Sequence, residues 1–132
     1  MSSRLESLVG IGQLKRETPR ADELDGLRAS GESRLADAER PDLSFESRFD
    51  LAYNAAHSFA LYALRRKGYR PSNRYIVFQV LAETAGVDTG VWRVLAKAHD
   101  KRNMSEYEGY LDQDERLLAD LLVATRALMS AV

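Results

Sequence analysis

Cysteine is absent from the 132 residues, which excludes a disulfide framework, thiol catalysis and any zinc site built on thiolates. Long apolar runs are missing too. None approaches the roughly 20 residues of a membrane-spanning helix, and Met1-Ser2-Ser3-Arg4-Leu5-Glu6 lacks the apolar stretch of a signal peptide. The cytoplasm is therefore the expected location, with no membrane partner. Nor does one sign of charge dominate: the formal net charge is −1. The whole molecule has no pull toward nucleic acid, and any such binding must come from a local patch. Glycine-rich phosphate loops, serine-nucleophile motifs, zinc-finger spacings, H-E-x-x-H and Glu-x-x-His pairs are absent. No metal site and no cofactor are expected. Repeats are missing, and no segment alternates with period two for long enough to predict a strand.

What is present reads as helix. At 14.8 kDa, 45 % hydrophobic and 30 % charged, the chain is one domain's worth of ordinary globular composition. Residues 1–19 form an arm or short helix broken by Gly10 and Gly12, and 20–132 form a bundle. The fold class predicted is all-α, five or six helices with long antiparallel central ones, near 20–40, 44–67, 73–84, 89–104 and 112–131. Thr18-Pro19 looks like an N-cap followed by proline at the first helical position. Leu24, Leu27, Leu35 and Ala38 share one stripe, and Gly31 on it predicts close approach of a neighbouring helix. Ser44 is placed to cap the next helix, whose seam Phe45, Phe49, Ala52, Ala56, Phe59 and Ala63 alternates four and three apart. Gly68 stops it, and Gly86 stops the following one. Asp88 or Thr89 caps a helix carrying Val91, Trp92 and Leu95, and Asp112 with Glu115 has the spacing of a capping box for the last. The long seam 45–63 is predicted to be central and to pack against the last helix.

The stretch Lys101 to Tyr110 draws most interest. Arg102 falls on the stripe of Leu95 and Ala98 or His99. A guanidinium on an apolar face needs an anion, a partner carboxylate or a cleft. His99 lies three residues before it on the same face. His99 and His57 are both expected to be structural. Two basic clusters stand out. Arg65, Arg66, Lys67, Arg70 and Arg74 surround one helix end, where the macrodipole favours cations. Arg93, Lys97 and Lys101 form a ladder four residues apart. If both clusters faced one cleft with Arg102, Tyr107 and Tyr110, they would make a phosphate and base-stacking surface.

Phe49 to Tyr53, the run Gly68-Tyr69-Arg70-Pro71, Arg102-Asn103-x-x-x-Tyr107 and the leucine-rich last helix occur in an order that resembles the HEPN family, over about residues 20–132. The resemblance implies a helical bundle that handles nucleotide or RNA, or binds a protein partner such as a nucleotidyltransferase, within a toxin–antitoxin or nucleotidyltransferase-associated system. Ribonuclease members of that family follow the arginine, after four to six intervening residues, with a histidine. Tyr107, Glu108 and Gly109 stand there instead. A tyrosine near pKa 10 is a poor base beside a histidine near 6.5, so the expectation leans away from an enzyme. The rival reading is a ribonuclease toxin using Arg102 with a non-histidine partner such as Tyr107. A third is a structural helical adaptor. The candidate nucleotide- or RNA-binding residues are Arg102, Asn103, Tyr107, Tyr110, Arg70 and Lys101. A homodimer is expected from the resemblance, and the aromatic residues Tyr53, Tyr62, Tyr69, Tyr75 and Trp92 exceed what one small core needs.

Overall fold

The computed structural model describes residues 3–132, so the first two residues of the expected arm lie outside it. The chain is built around α3 (Phe45–Arg66), which the Ser44 hydroxyl caps by accepting from the Ser47 N–H at 3.1 Å. The chain leaves α3 through Gly68 at φ +94°, a conformation that suits a residue without a Cβ. Phe45, Phe49, Ala52, Ala56, Phe59 and Ala63, the predicted seam, are all buried, and so are Tyr53, Ala60 and Leu64. With both stripes covered, α3 is the central helix. It packs against α2 (Ala21–Ala38) and α7 (Glu115–Ala131). Gly31 of α2 owes its place to α3: a Cβ there would sit 2.8 Å from the buried Phe59 ring.

The remaining elements correct several predicted boundaries. α6 (Thr89–Glu108) begins at an Asp88 cap, whose side chain accepts from the Val91 N–H at 3.1 Å. It runs four residues beyond the predicted 104, ending at Gly109 with φ +79°. The cap of α7 is Asp114 rather than Asp112, accepting from the Leu117 N–H at 2.9 Å. The helix predicted over 73–84 is two four-residue helices, α4 (Ile76–Gln79) and α5 (Leu81–Thr84), divided at Val80 (φ −105°, ψ 14°). Ile76, Val77, Phe78, Val80 and Leu81 are all buried. Tertiary packing, rather than one helical stripe, sets their placement. With α1 (Ser3–Gly10), the described residues hold seven helices rather than five or six.

The expectation of no strands is also corrected. β1 (Leu14–Arg16) and β2 (Tyr69–Pro71) pair antiparallel, Leu14 opposite Pro71 and Arg16 opposite Tyr69. Bonds from the Ser72 N–H to Gln13 O and from the Glu17 N–H to Gly68 O extend the ladder at either end. Three residues are too few to display a period of two, and the partner is more than 50 residues away, so no local pattern marks it. The ladder draws the N-terminal segment onto the bundle, where Leu5 and Leu14 join the core.

Thr18 does not cap α2. The helix starts at Ala21, and the Glu23 carboxylate accepts from the Arg20 N–H at 3.3 Å. The reason is Arg65, whose side chain is 1 % exposed. Its guanidinium donates to both carboxylate oxygens of Glu23 at 2.8 and 3.1 Å, and to the carbonyls of Glu17 and Tyr69 at 3.0 and 3.1 Å. Its neighbour Arg66 stays exposed beside the Tyr62 ring. A cluster explained in sequence by the helix dipole thus contains a buried hub that fixes the approach to α2.

Candidate functional site

Arg102 projects from α6 toward α3, where its guanidinium carbon lies 5.0 Å from the centre of the Tyr53 ring. Its side chain is 29 % exposed, half-buried rather than sealed in the core. Two carboxylates share it: Asp50 at 3.5 Å and Glu106 at 3.3 Å. Both distances exceed the roughly 2.7–2.9 Å of a tight charge-assisted bond. Both carboxylates are more than half exposed. Beside the guanidinium opens a cavity of about 170 Å³ lined by Phe49, Asp50, Ser105, Glu106 and Leu111, with Glu46 at its rim. Arg102 is therefore in a wet groove with exchangeable partners.

On the other flank of Tyr53 the chain assembles a second set of polar groups. The Tyr53 hydroxyl lies 2.8 Å from His99 Nδ1, and the Asn103 amide 3.0 Å from His99 Nε2. Both ring nitrogens are engaged, so the imidazole is held in place rather than left open for a substrate proton. Tyr75 stacks on that ring with centroids 4.5 Å apart. Arg74 comes from the turn before α4, 5.6 Å from the Tyr53 ring, and donates to Asn54 Oδ1 at 3.0 Å. It has no carboxylate partner among the described residues.

The electrostatics follow from this crowding. Burial first, and then the cations Arg74 and Arg102, push the His57 imidazole down to about 4. His99 is lowered too, first by burial, with Arg102 and Arg74 adding to it and Asp100 and Glu106 opposing. Burial raises the Tyr53 phenol, offset by a hydrogen bond from Arg74. Two histidines are thus kept neutral at pH 7 next to two arginines.

Of the six residues singled out from sequence, the structure brings Arg102 and Asn103 together. Tyr107 is 91 % exposed and touches no other ring. Tyr110 is exposed beyond the end of α6, where with Lys101 and Met104 it lines a different cavity. Arg70 lies on β2, where it pairs with Glu17 and, at 3.5 Å, with Glu23. Arg65, its neighbour there, is 15 residues along α3 from Asp50, about 22 Å at 1.5 Å per residue. Arg65 and Arg70 of the first basic cluster therefore lie away from Arg102, while Arg74 of that cluster reaches the Tyr53 ring beside it. Sequence reasoning missed Tyr53 as the platform and Arg74 as its second cation. The position of Tyr53 on the apolar seam disguised its hydroxyl, and Arg74 was grouped with Arg70 by proximity in the chain. Tyr53 and Tyr69 are buried inside the chain, which removes them from any surplus of aromatic surface.

No group of three or more metal-ligating side chains is gathered among the described residues. No helix among them is long and apolar enough to cross a membrane. The site thus belongs to a mostly helical bundle, in a groove between two long helices where Arg102 sits among Glu46, Asp50 and Glu106. No family model, no curated protein and no solved structure matches this chain.

Proposed function

We propose that the chain is a HEPN-like, non-catalytic module that binds the phosphate of a nucleotide or an RNA in the groove between α3 and α6. The observation that carries this is Arg102 itself, half-exposed on the Tyr53 ring with two long, solvated carboxylate contacts and an unpaired Arg74 on the other flank. A phosphate can displace Asp50 and Glu106, since exposed pairs of this kind are worth about 0–1 kcal/mol. It gains charge-assisted bonds from a guanidinium already oriented by the ring.

The ribonuclease reading draws less support. His99, three residues before Arg102, has both of its nitrogens already engaged by Tyr53 and Asn103, and burial and nearby cations hold His57 at about 4. The homodimer and the nucleotidyltransferase partner belong to this proposal on the resemblance alone. A monomer mass by light scattering at tens of micromolar protein removes the first.

The test is binding of labelled RNA and of nucleotides to wild type and Arg102→Ala. The variant should keep its fold and lose at least tenfold in affinity. Equal binding by the two proteins refutes the groove, and cleavage of RNA by the wild type that Arg102→Ala abolishes revives the enzyme.

A further inference from the structure

We propose that the outer face of α6 is a track for single-stranded RNA, with Arg93, Lys97 and Lys101 contacting successive phosphates and Tyr107 stacking on a base. It rests on the reading above for its ligand class and uses none of the groove residues. At 100° per residue, Lys97 lies about 140° around the helix from Arg102. The ladder therefore faces away from α3. Arg93 and Lys97 are exposed and Lys101 is half-buried. None of the three is in an ion pair among the described residues. Like charges four apart on a helix repel by about 0.2–0.5 kcal/mol per pair. This helix thus carries two such repulsions, which Asp100, three residues beyond Lys97, offsets only in part. A polyanion would relieve both. The residues rise about 6 Å per step along α6, a spacing that neighbouring phosphates of an extended strand can follow.

The line does not end in charge. Met104, about one turn beyond Lys101, is 55 % exposed, and Tyr107, almost two turns beyond it, is 91 % exposed, neither a usual choice for open solvent. Beside them Lys101, Met104 and Tyr110 line a cavity of about 240 Å³, with room for a nucleobase. Exposed rings next to a row of cations are the parts of a single-strand site, because every base offers a π-face. Asp100 adjoins Lys101 on the helix, and Glu108 and Asp112 line the cavity with Tyr110. Those carboxylates can accept from the N–H groups of a base. A flat layer of anionic lipid headgroups would meet them head-on, which favours RNA over a membrane surface.

The experiment is fluorescence anisotropy with a short labelled single-stranded RNA of mixed sequence, between about 50 and 200 mM salt. The proteins compared are wild type, Arg93→Ala/Lys97→Ala, Tyr107→Ala, Arg102→Ala and the exposed control Arg116→Ala. Removing two phosphate contacts should reduce the salt slope by about 1.4, at about 0.7 per contact on a single strand. Tyr107→Ala should weaken binding roughly 5- to 150-fold, and Arg116→Ala should leave it unchanged. An unchanged slope in Arg93→Ala/Lys97→Ala overturns the track even if Arg102→Ala abolishes binding, in which case the groove alone stands. The reverse pattern keeps the track and removes the groove. A wild type that binds acidic phospholipid vesicles but no RNA, or neither, also overturns it.

Discussion

Two arginines show how differently one residue type is used in this chain. Arg65 is buried and answers Glu23 with two bonds and backbone carbonyls with three more, so truncating it strands a carboxylate. Arg65→Ala is expected to cost roughly 3–5 kcal/mol. Arg102 holds only solvated partners and a ring face, so Arg102→Ala is expected to cost about 1 kcal/mol or less. Urea denaturation of both variants checks the contrast, and equal losses would refute it. Gly31 is a third case. A methyl there meets the Phe59 ring at 2.8 Å, and that ring has no exposed side into which to retreat. Gly31→Ala should lose about 1–3 kcal/mol despite the better helix propensity of alanine. A gain in stability would show that the α2–α3 contact yields easily.

At the scale of elements, caps and neighbours decide what local pattern leaves open. Asp114 rather than Asp112 begins α7, so Asp114→Ala should cost about 1 kcal/mol and Asp112→Ala a few tenths at most. Equal effects in thermal unfolding would argue that the cap shifts between them. The His57 imidazole, packed edge-on against Phe78 of α4, adds a pH dependence. The folded pKa of His57 is depressed to about 4 from 6.5, so the unfolded chain binds more protons between those values. Stability is then full above about pH 6.5 and falls as pH drops toward 4, by about 3 kcal/mol at most. His57→Gln should flatten that limb of the curve. An NMR titration placing the His57 midpoint near 6.5 would rule the effect out.

For the whole molecule, the N-terminal segment is fastened by charge as well as by the strand ladder. Arg16 and the Tyr69 hydroxyl hold Glu6, Arg70 holds Glu17, and Arg65 holds Glu23. The first-named partners keep all three carboxylates below the usual range, Glu23 at about 2. A depressed carboxylate contributes above its unfolded pKa and loses that contribution as pH falls through the folded one. A second acid limb is therefore expected between about pH 4.5 and 2, separate from the histidine limb. Stability measured across that range in wild type and Glu23→Gln checks it: the variant should start lower and fall less steeply. A parallel pair of curves would refute the linkage.

Much of this was legible in the order of residues, and the division has a physical cause. Helical periodicity is local, so the seam 45–63, the caps Ser44 and Asp88, the stop at Gly68 and the crowding at Gly31 could all be read from neighbours in the chain. Arg102 could be singled out because a cation on an apolar stripe is locally anomalous. Other features depend on groups that meet only after the chain folds back. The β1–β2 ladder joins residues more than 50 apart. The break at Val80 reflects burial on several sides, and Arg65 became a hub only once Glu23 and the Glu17 carbonyl reached it. Tyr53 and Arg74 were recruited to Arg102 because α3, α6 and the turn before α4 converge there. By itself the sequence determined the helices and their buried faces, since those follow from spacing along one chain. Tertiary structure alone decided which cations are sealed, which are paired and which face solvent, because a charge takes its meaning from whatever is brought within a few ångströms of it.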